Sequence, residues 1–92
     1  MQRAAFKYRD RLTIIVDILR AVNERPQGKR KTGIMQTANL SSPQMEKYLN
    51  LLLITELLRE EDNIYKPTER GRQLAKDLES IYQSYKDIQV SM

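Results

Sequence analysis

The feature that most limits how this chain can fold is the tripeptide Asn39–Leu40–Ser41, set between two helical patterns and followed at once by Ser42–Pro43–Gln44. Asparagine enters the left-handed region more readily than other non-glycine residues, so Asn39 can turn the chain sharply. Ser41 and Gln44 have the S-x-x-Q spacing of a capping box; with Ser42 as cap and Pro43 in the first helical position, the helix starts at nearly the same point. The helix predicted over 42–54 carries Met45, Tyr48, Leu49, Leu52 and Leu53 as its inward stripe and leaves Gln44, Glu46, Lys47 and Asn50 outside. Two helices joined by so short a turn must cross closely, with the start of the second left at the surface.

The other elements follow from periodicity and caps. Over 11–23, Leu12, Ile15, Val16, Leu19 and Val22 recur at helical spacing opposite Thr13, Asp17, Arg20 and Glu24, with Asp10 as N-cap. Ile14 and Ile18 widen the apolar stripe, which implies cover on two sides. Pro26–Gln27–Gly28 ends this helix. Lys29–Arg30–Lys31 reads as a basic loop, and Thr32 as the cap of a short helix over 33–38 with Ile34, Met35 and Ala38 inward. Leu57–Leu58–Arg59–Glu60 and Ile64–Tyr65–Lys66–Pro67 flank Glu61–Asp62–Asn63 as a two-stranded hairpin closed by the proline. Thr68, with Glu69 behind it, caps a final helix.

In that helix Leu74, Leu78, Ile81, Tyr85, Ile88 and Met92 alternate at steps of four and three, the coiled-coil period, with Tyr82 beside the seam. One long helix packed on its own domain is the plainer reading. Self-association is preferred, because a small domain cannot easily cover a helix on the order of 35 Å long.

Ninety-two residues suffice for one domain, 1–92, divided here into a helix-turn-helix with its wing at 8–67 and a dimerisation helix at 68–92. The chain has no cysteine and no histidine. That removes zinc fingers, the usual transition-metal sites and every histidine-based catalytic triad, so no cofactor or metal is expected and an enzyme is disfavoured. Residues 1–31 carry nine Lys/Arg against three Asp/Glu, whereas residues 32–92 carry seven against nine. This asymmetry points to an anionic partner for one face. Residues 1–10 are polar and basic, unlike a signal peptide, and no apolar run is long enough to span a membrane, so the expected location is the cytoplasm, in association with the nucleoid.

The predicted order is helix, helix, tight turn, helix, hairpin, helix: a mainly α (α+β) winged helix-turn-helix. Ser41, Ser42, Gln44 and Lys47 then face the major groove of double-stranded DNA; Lys29, Arg30, Lys31 and Thr32 meet phosphates; Asn63 and Lys66 belong to the wing. Each has a plainer role as well: Ser41 and Ser42 as caps, Lys47 as a solvated helical lysine, and the basic run as a solvated loop.

Residues 8–77 resemble the archaeal family of small winged helix-turn-helix DNA-binding proteins, predicted transcriptional regulators. The resemblance is carried by Asp17–Ile18–Leu19–Arg20–Ala21, Lys31–Thr32, Ile34–Met35, Asn39–Leu40–Ser41, Lys47–Tyr48–Leu49, Leu52–Leu53, Leu57–Leu58, Tyr65 and Thr68–Glu69–Arg70–Gly71. It implies a homodimer paired through the C-terminal helix at Leu74, Leu78, Ile81, Tyr82, Tyr85 and Ile88, presenting two DNA-reading heads. The chain departs from the family in its acidic wing tip, Glu60–Glu61–Asp62, and at Ile54–Thr55–Glu56, where relatives have a glycine-containing turn. The alternatives are a nonspecific chromatin-type DNA binder and a protein-interaction module without nucleic acid.

Overall fold

The structure, a computed structural model, describes residues 10–91; the N-terminal basic segment 1–9 and Met92 of the apolar seam lie outside the described residues. Helix α1 (Arg11–Asn23) starts where the Asp10 carboxylate accepts a hydrogen bond from the Thr13 amide at 2.8 Å. That bond stabilises the charged form and holds the Asp10 carboxyl below its ordinary value. The helix buries Ile14, Val16, Ile18, Leu19, Ala21 and Val22, so the widened stripe is covered on two sides as expected. Leu12 is a correction: it sits in the first turn and stays 48% exposed. Periodicity assigns a residue to an arc of the helix but does not say how far along the axis the cover extends.

The basic run also differs from expectation. Lys29–Arg30 is not a loop but a strand, β1. Gly28 adopts φ +91°, and a β-carbon there would lie 2.6 Å from the Tyr65 carbonyl oxygen, so only glycine lets the two backbones approach. Arg30 is thereby held extended and becomes the N-cap residue of α2 (Lys31–Ala38). The helix begins two residues earlier than expected, with Thr32 inside its first turn and not at its cap. Asn39 follows at φ 56°, ψ 58°, the left-handed turn anticipated from its residue type.

Helix α3 (Ser42–Ile54) opens on the full capping box: the Gln44 amide donates to Ser41 Oγ, and the Ser41 amide donates to Gln44 Oε1, each at 3.3 Å. Met45, Tyr48, Leu49 and Leu52 are buried along it, and Leu53 is partly buried against the core. Glu56 takes φ 60° just after the helix, the conformation that a glycine in this turn accepts without cost.

Strand β2 (Leu58–Glu61) and strand β3 (Ile64–Pro67) pair antiparallel, and β1 adds to the far side of β3, giving the order β1-β3-β2. The sheet is therefore three-stranded, not two. The hairpin turn has two residues, Asp62 at φ 54° and Asn63 at φ 65°; both central φ values are positive, as a type I′ turn requires. This pulls Glu61 into β2 and leaves Leu57 outside it.

Helix α4 (Glu69–Ser91) is entered through Thr68, whose hydroxyl oxygen accepts from the Gly71 amide at 2.9 Å while its O–H donates to the Glu56 carbonyl at 2.7 Å. Ala75 is buried in the common core, with Leu74 and Leu78 partly buried against it. The Arg20–Glu79 ion pair at 2.5 Å ties α1 to α4. The core gathers Ile18, Leu19 and Val22 of α1, Ile34 of α2, Met45, Leu49 and Leu52 of α3, and Leu58 of the sheet. Together these elements make a winged helix with a long C-terminal helix.

Gly71 allows the close contact between α4 and the chain entering β2, since a β-carbon there would stand 1.9 Å from the Leu57 carbonyl oxygen. Gly71→Ala is expected to destabilise the fold by about 2–3 kcal/mol through overpacking against backbone that cannot yield. Thermal unfolding followed by circular dichroism should show a Tm lower by roughly 10 °C or more; an unchanged Tm would refute the close packing of α4 on Leu57.

Candidate nucleic-acid interface

Three segments far apart in sequence meet at one surface. Strand pairing sets Arg30 opposite Ile64, which brings the end of β1 and the first turn of α2 beside the hairpin turn. Arg30, Lys31, Thr32, Asn63 and Tyr65 line a recess of about 340 Å³ there. The Tyr65 hydroxyl is pushed up, first by burial and then by the nearby Glu60 carboxylate. Four of the residues singled out in the sequence thus come together, and Tyr65 joins them.

Helix α3 borders this recess. Lys31, in the first turn of α2, pairs with Glu46 on the exposed side of α3. That hydrogen bond is the main reason the Lys31 ammonium is held above its ordinary value. Lys47 is exposed beside it, its Nζ 5.8 Å from the centre of the Tyr48 ring. Among the described residues, no carboxylate forms an ion pair with Arg30 or Lys47. Ser42 is exposed in the first turn of α3. Ser41 and Gln44 are exposed too, but their side chains are turned toward each other in the capping box.

Two of the expected cations are occupied elsewhere. Lys29 is only 13% exposed, and its ammonium donates to Glu24 at 2.5 Å and to Thr37 Oγ1 at 2.9 Å, tying the end of α1 to α2. The same bond holds the Glu24 carboxyl below its ordinary value. Lys66 lies on the opposite side of β3 from Tyr65, because side chains alternate along a strand. There it pairs with Glu61 at 2.9 Å, and Arg59 reaches the same carboxylate. These two cations, the Lys66 hydrogen bond foremost, hold the Glu61 carboxyl below its ordinary value. Pairing with these two cations offsets the Glu61 charge within the hairpin.

Glu46, Tyr65 and Arg59 are not among the DNA-binding residues expected from the sequence, although Tyr65 is one of those that carry the family resemblance. Nothing local signals that Glu46 meets a lysine fifteen positions away.

Along α4, Leu74 and Leu78 are partly buried by their own domain, and Tyr82 is intermediate, with Lys86 Nζ 5.4 Å from its ring centre. Ile81, Tyr85 and Ile88 are exposed at 58%, 57% and 59% on one face of the helix. Among the described residues, no helix is long and apolar enough to cross a membrane.

The chain is 35% identical over 74 residues to an uncharacterized protein of Methanocaldococcus jannaschii; the match takes in 80% of this chain but only 34% of that protein, so the chain spans about a third of its length. Among solved structures the fold is similar to Sso10a-2, a DNA-binding protein from Sulfolobus solfataricus, with a TM-score of 0.78 and 24% identity over 90% of this chain and 88% of that one. A winged helix-turn-helix family model matches residues 8–86, and the chain belongs to that family.

Proposed function

We propose that this protein is a dimeric DNA-binding protein that regulates transcription in the cytoplasm, in contact with the nucleoid, and is not a catalyst. The observation that carries this reading is the single surface formed by the exposed start of α3 and the cationic recess of Arg30, Lys31, Thr32 and Asn63. Helix α3 enters the major groove with Ser42 and Lys47 toward the bases, while Ser41 and Gln44 hold its first turn. Arg30, Lys31 and Thr32 meet the phosphates on one side of the groove; the amides of the α2 first turn, together with these side chains, favour an anion. Lys29 acts mainly as an internal tie, and Lys66 approaches the backbone only at the cost of its bond to Glu61. The DNA-binding activity given for Sso10a-2 and the family's helix-turn-helix architecture support the same reading.

Pairing runs through α4. Ile81, Tyr85 and Ile88 form an apolar strip beyond the domain, and their spacing suits a two-stranded seam. Leu74 and Leu78 contribute less to it, since their own core already covers part of each. An assembly with two linked heads binds DNA more tightly than either head alone.

Two measurements test this. In fluorescence-anisotropy titrations of a labelled random duplex, affinity should fall with salt at a log–log slope of about −0.9 per phosphate neutralised, and Arg30→Gln, which removes one phosphate contact from each of the two heads, should make the slope shallower by roughly 2. No binding at low salt by the folded protein would overturn the reading in favour of a protein-interaction module, and equal affinity for an upstream fragment and scrambled DNA would favour a chromatin-type role. In sedimentation, Ile81→Asp or Ile88→Asp should convert a dimer to monomers by setting a carboxylate in the seam. A mass unchanged by both substitutions would exclude pairing along this strip.

A further inference from the structure

Glu46 is the only carboxylate on α3, and it stands on the exposed side of the second turn beside Lys47 and one helical turn before Asn50. A carboxylate there is unfavourable for a helix that merely adheres to DNA, because every phosphate repels it. The donors that base edges offer in the major groove are the amino groups of cytosine and adenine, and a carboxylate, which only accepts, is matched by the N4 amino group of cytosine. Lys31 reaches across from α2 to one oxygen of Glu46. Such a bond offsets part of the negative charge, restricts the side chain to few rotamers and leaves the other oxygen able to accept. Lys31 lines the cationic recess half-buried and Glu46 is exposed next to it, so the pair lies on the surface assigned above to DNA.

We infer that Glu46 is a sequence-discriminating residue that accepts a hydrogen bond from cytosine in the major groove, with Lys31 as its positioning residue. This rests on the DNA-binding reading and adds that the reading is selective at one base pair of each half-site. It accounts for a lysine at the phosphate-facing end of α2 giving one of its three donors to a carboxylate of the neighbouring helix while the others stay available to phosphate.

The test is selection of duplexes from a randomised pool by the full chain, wild type against Glu46→Gln, Lys31→Met and Lys31→Arg, with each variant's melting curve recorded. Wild type should fix one column as cytosine, with roughly ten-fold discrimination against the other bases, a typical value for one specific base contact. Glu46→Gln should lose that cytosine and drift toward adenine, since an amide both donates and accepts. Lys31→Met should weaken the same column, and Lys31→Arg should restore it, a pattern that mere loss of a phosphate contact does not give. The inference is overturned if wild type and Glu46→Gln select the same bases, if wild type shows no preference, or if Glu46→Gln raises affinity for every duplex alike, which would make Glu46 an internal counterion only. Failure of wild type to bind any duplex at low salt would instead overturn the underlying DNA-binding reading.

Discussion

Everything at the candidate surface depends on the left-handed turn at Asn39. Its φ of 56° and ψ of 58° end α2 abruptly, and the Leu40 amide donates back to the Met35 carbonyl at 3.1 Å. The chain gains at both sides of the turn: Leu40 is buried, and Ser41 caps α3 at once. For most residues the left-handed conformation costs about 1–2 kcal/mol, less for asparagine, and a good N-cap contributes about 1 kcal/mol in return. With no slack between the helices, the first turn of α2 and the second turn of α3 stay within reach of each other. That is why Lys31 meets Glu46, and why the cationic recess and the exposed side of α3 form one surface and not two.

The parts of the fold legible in sequence are those whose cause lies within about four residues. The box between Ser41 and Gln44, the Asp10 bond to Thr13 and the Thr68 bond to Gly71 are each closed across three residues, and each is found where its local signal stands. Strand β1 is different in kind. Two residues carry no periodicity, and Lys29 becomes strand only because Tyr65, far along the chain, lies opposite it and Gly28 lets the backbones touch. The same distance limit explains the site. The basic character of residues 29–31 is plain, but which of them faces outward is decided by Glu24, Thr37 and Glu46, none of which is a sequence neighbour. Gln44 shows the opposite ambiguity: one residue fits both a cap and a base-reading position, and the structure uses its oxygen in the cap.

Charge pairing also changes what the acidic wing means. Glu61 is held between Arg59 and Lys66 on one face of the hairpin, while Glu60, opposite Tyr65 in the register, is turned to the other face. Glu60 and Glu61 are thus divided between two surfaces, with Asp62 exposed in the turn between the strands. A phosphate approaching the recess meets Arg30 and Lys31 with Glu60 as the main opposing wing charge, and that residual repulsion limits how closely the proposed duplex can lie along the wing.

The long helix illustrates a limit of period analysis that bears on the proposed dimer. A 3.5-residue repeat states that one face of the helix is apolar throughout, but not that one partner covers all of it. Here Leu74 and Leu78 lie against the core of their own domain, and only from Ile81 onward is the strip left exposed. A pair built on α4 is therefore centred toward the C-terminal end, near Tyr85. In an antiparallel arrangement each residue by which that centre shifts moves the two heads apart by about 3 Å, since both helices contribute a rise of roughly 1.5 Å. DNA half-sites repeat at about 34 Å, so a shift of only a few residues alters whether both copies of α3 meet the same face of the duplex. The division of the seam between core and partner, and not the number of apolar residues in it, then sets the spacing at which two heads can read DNA.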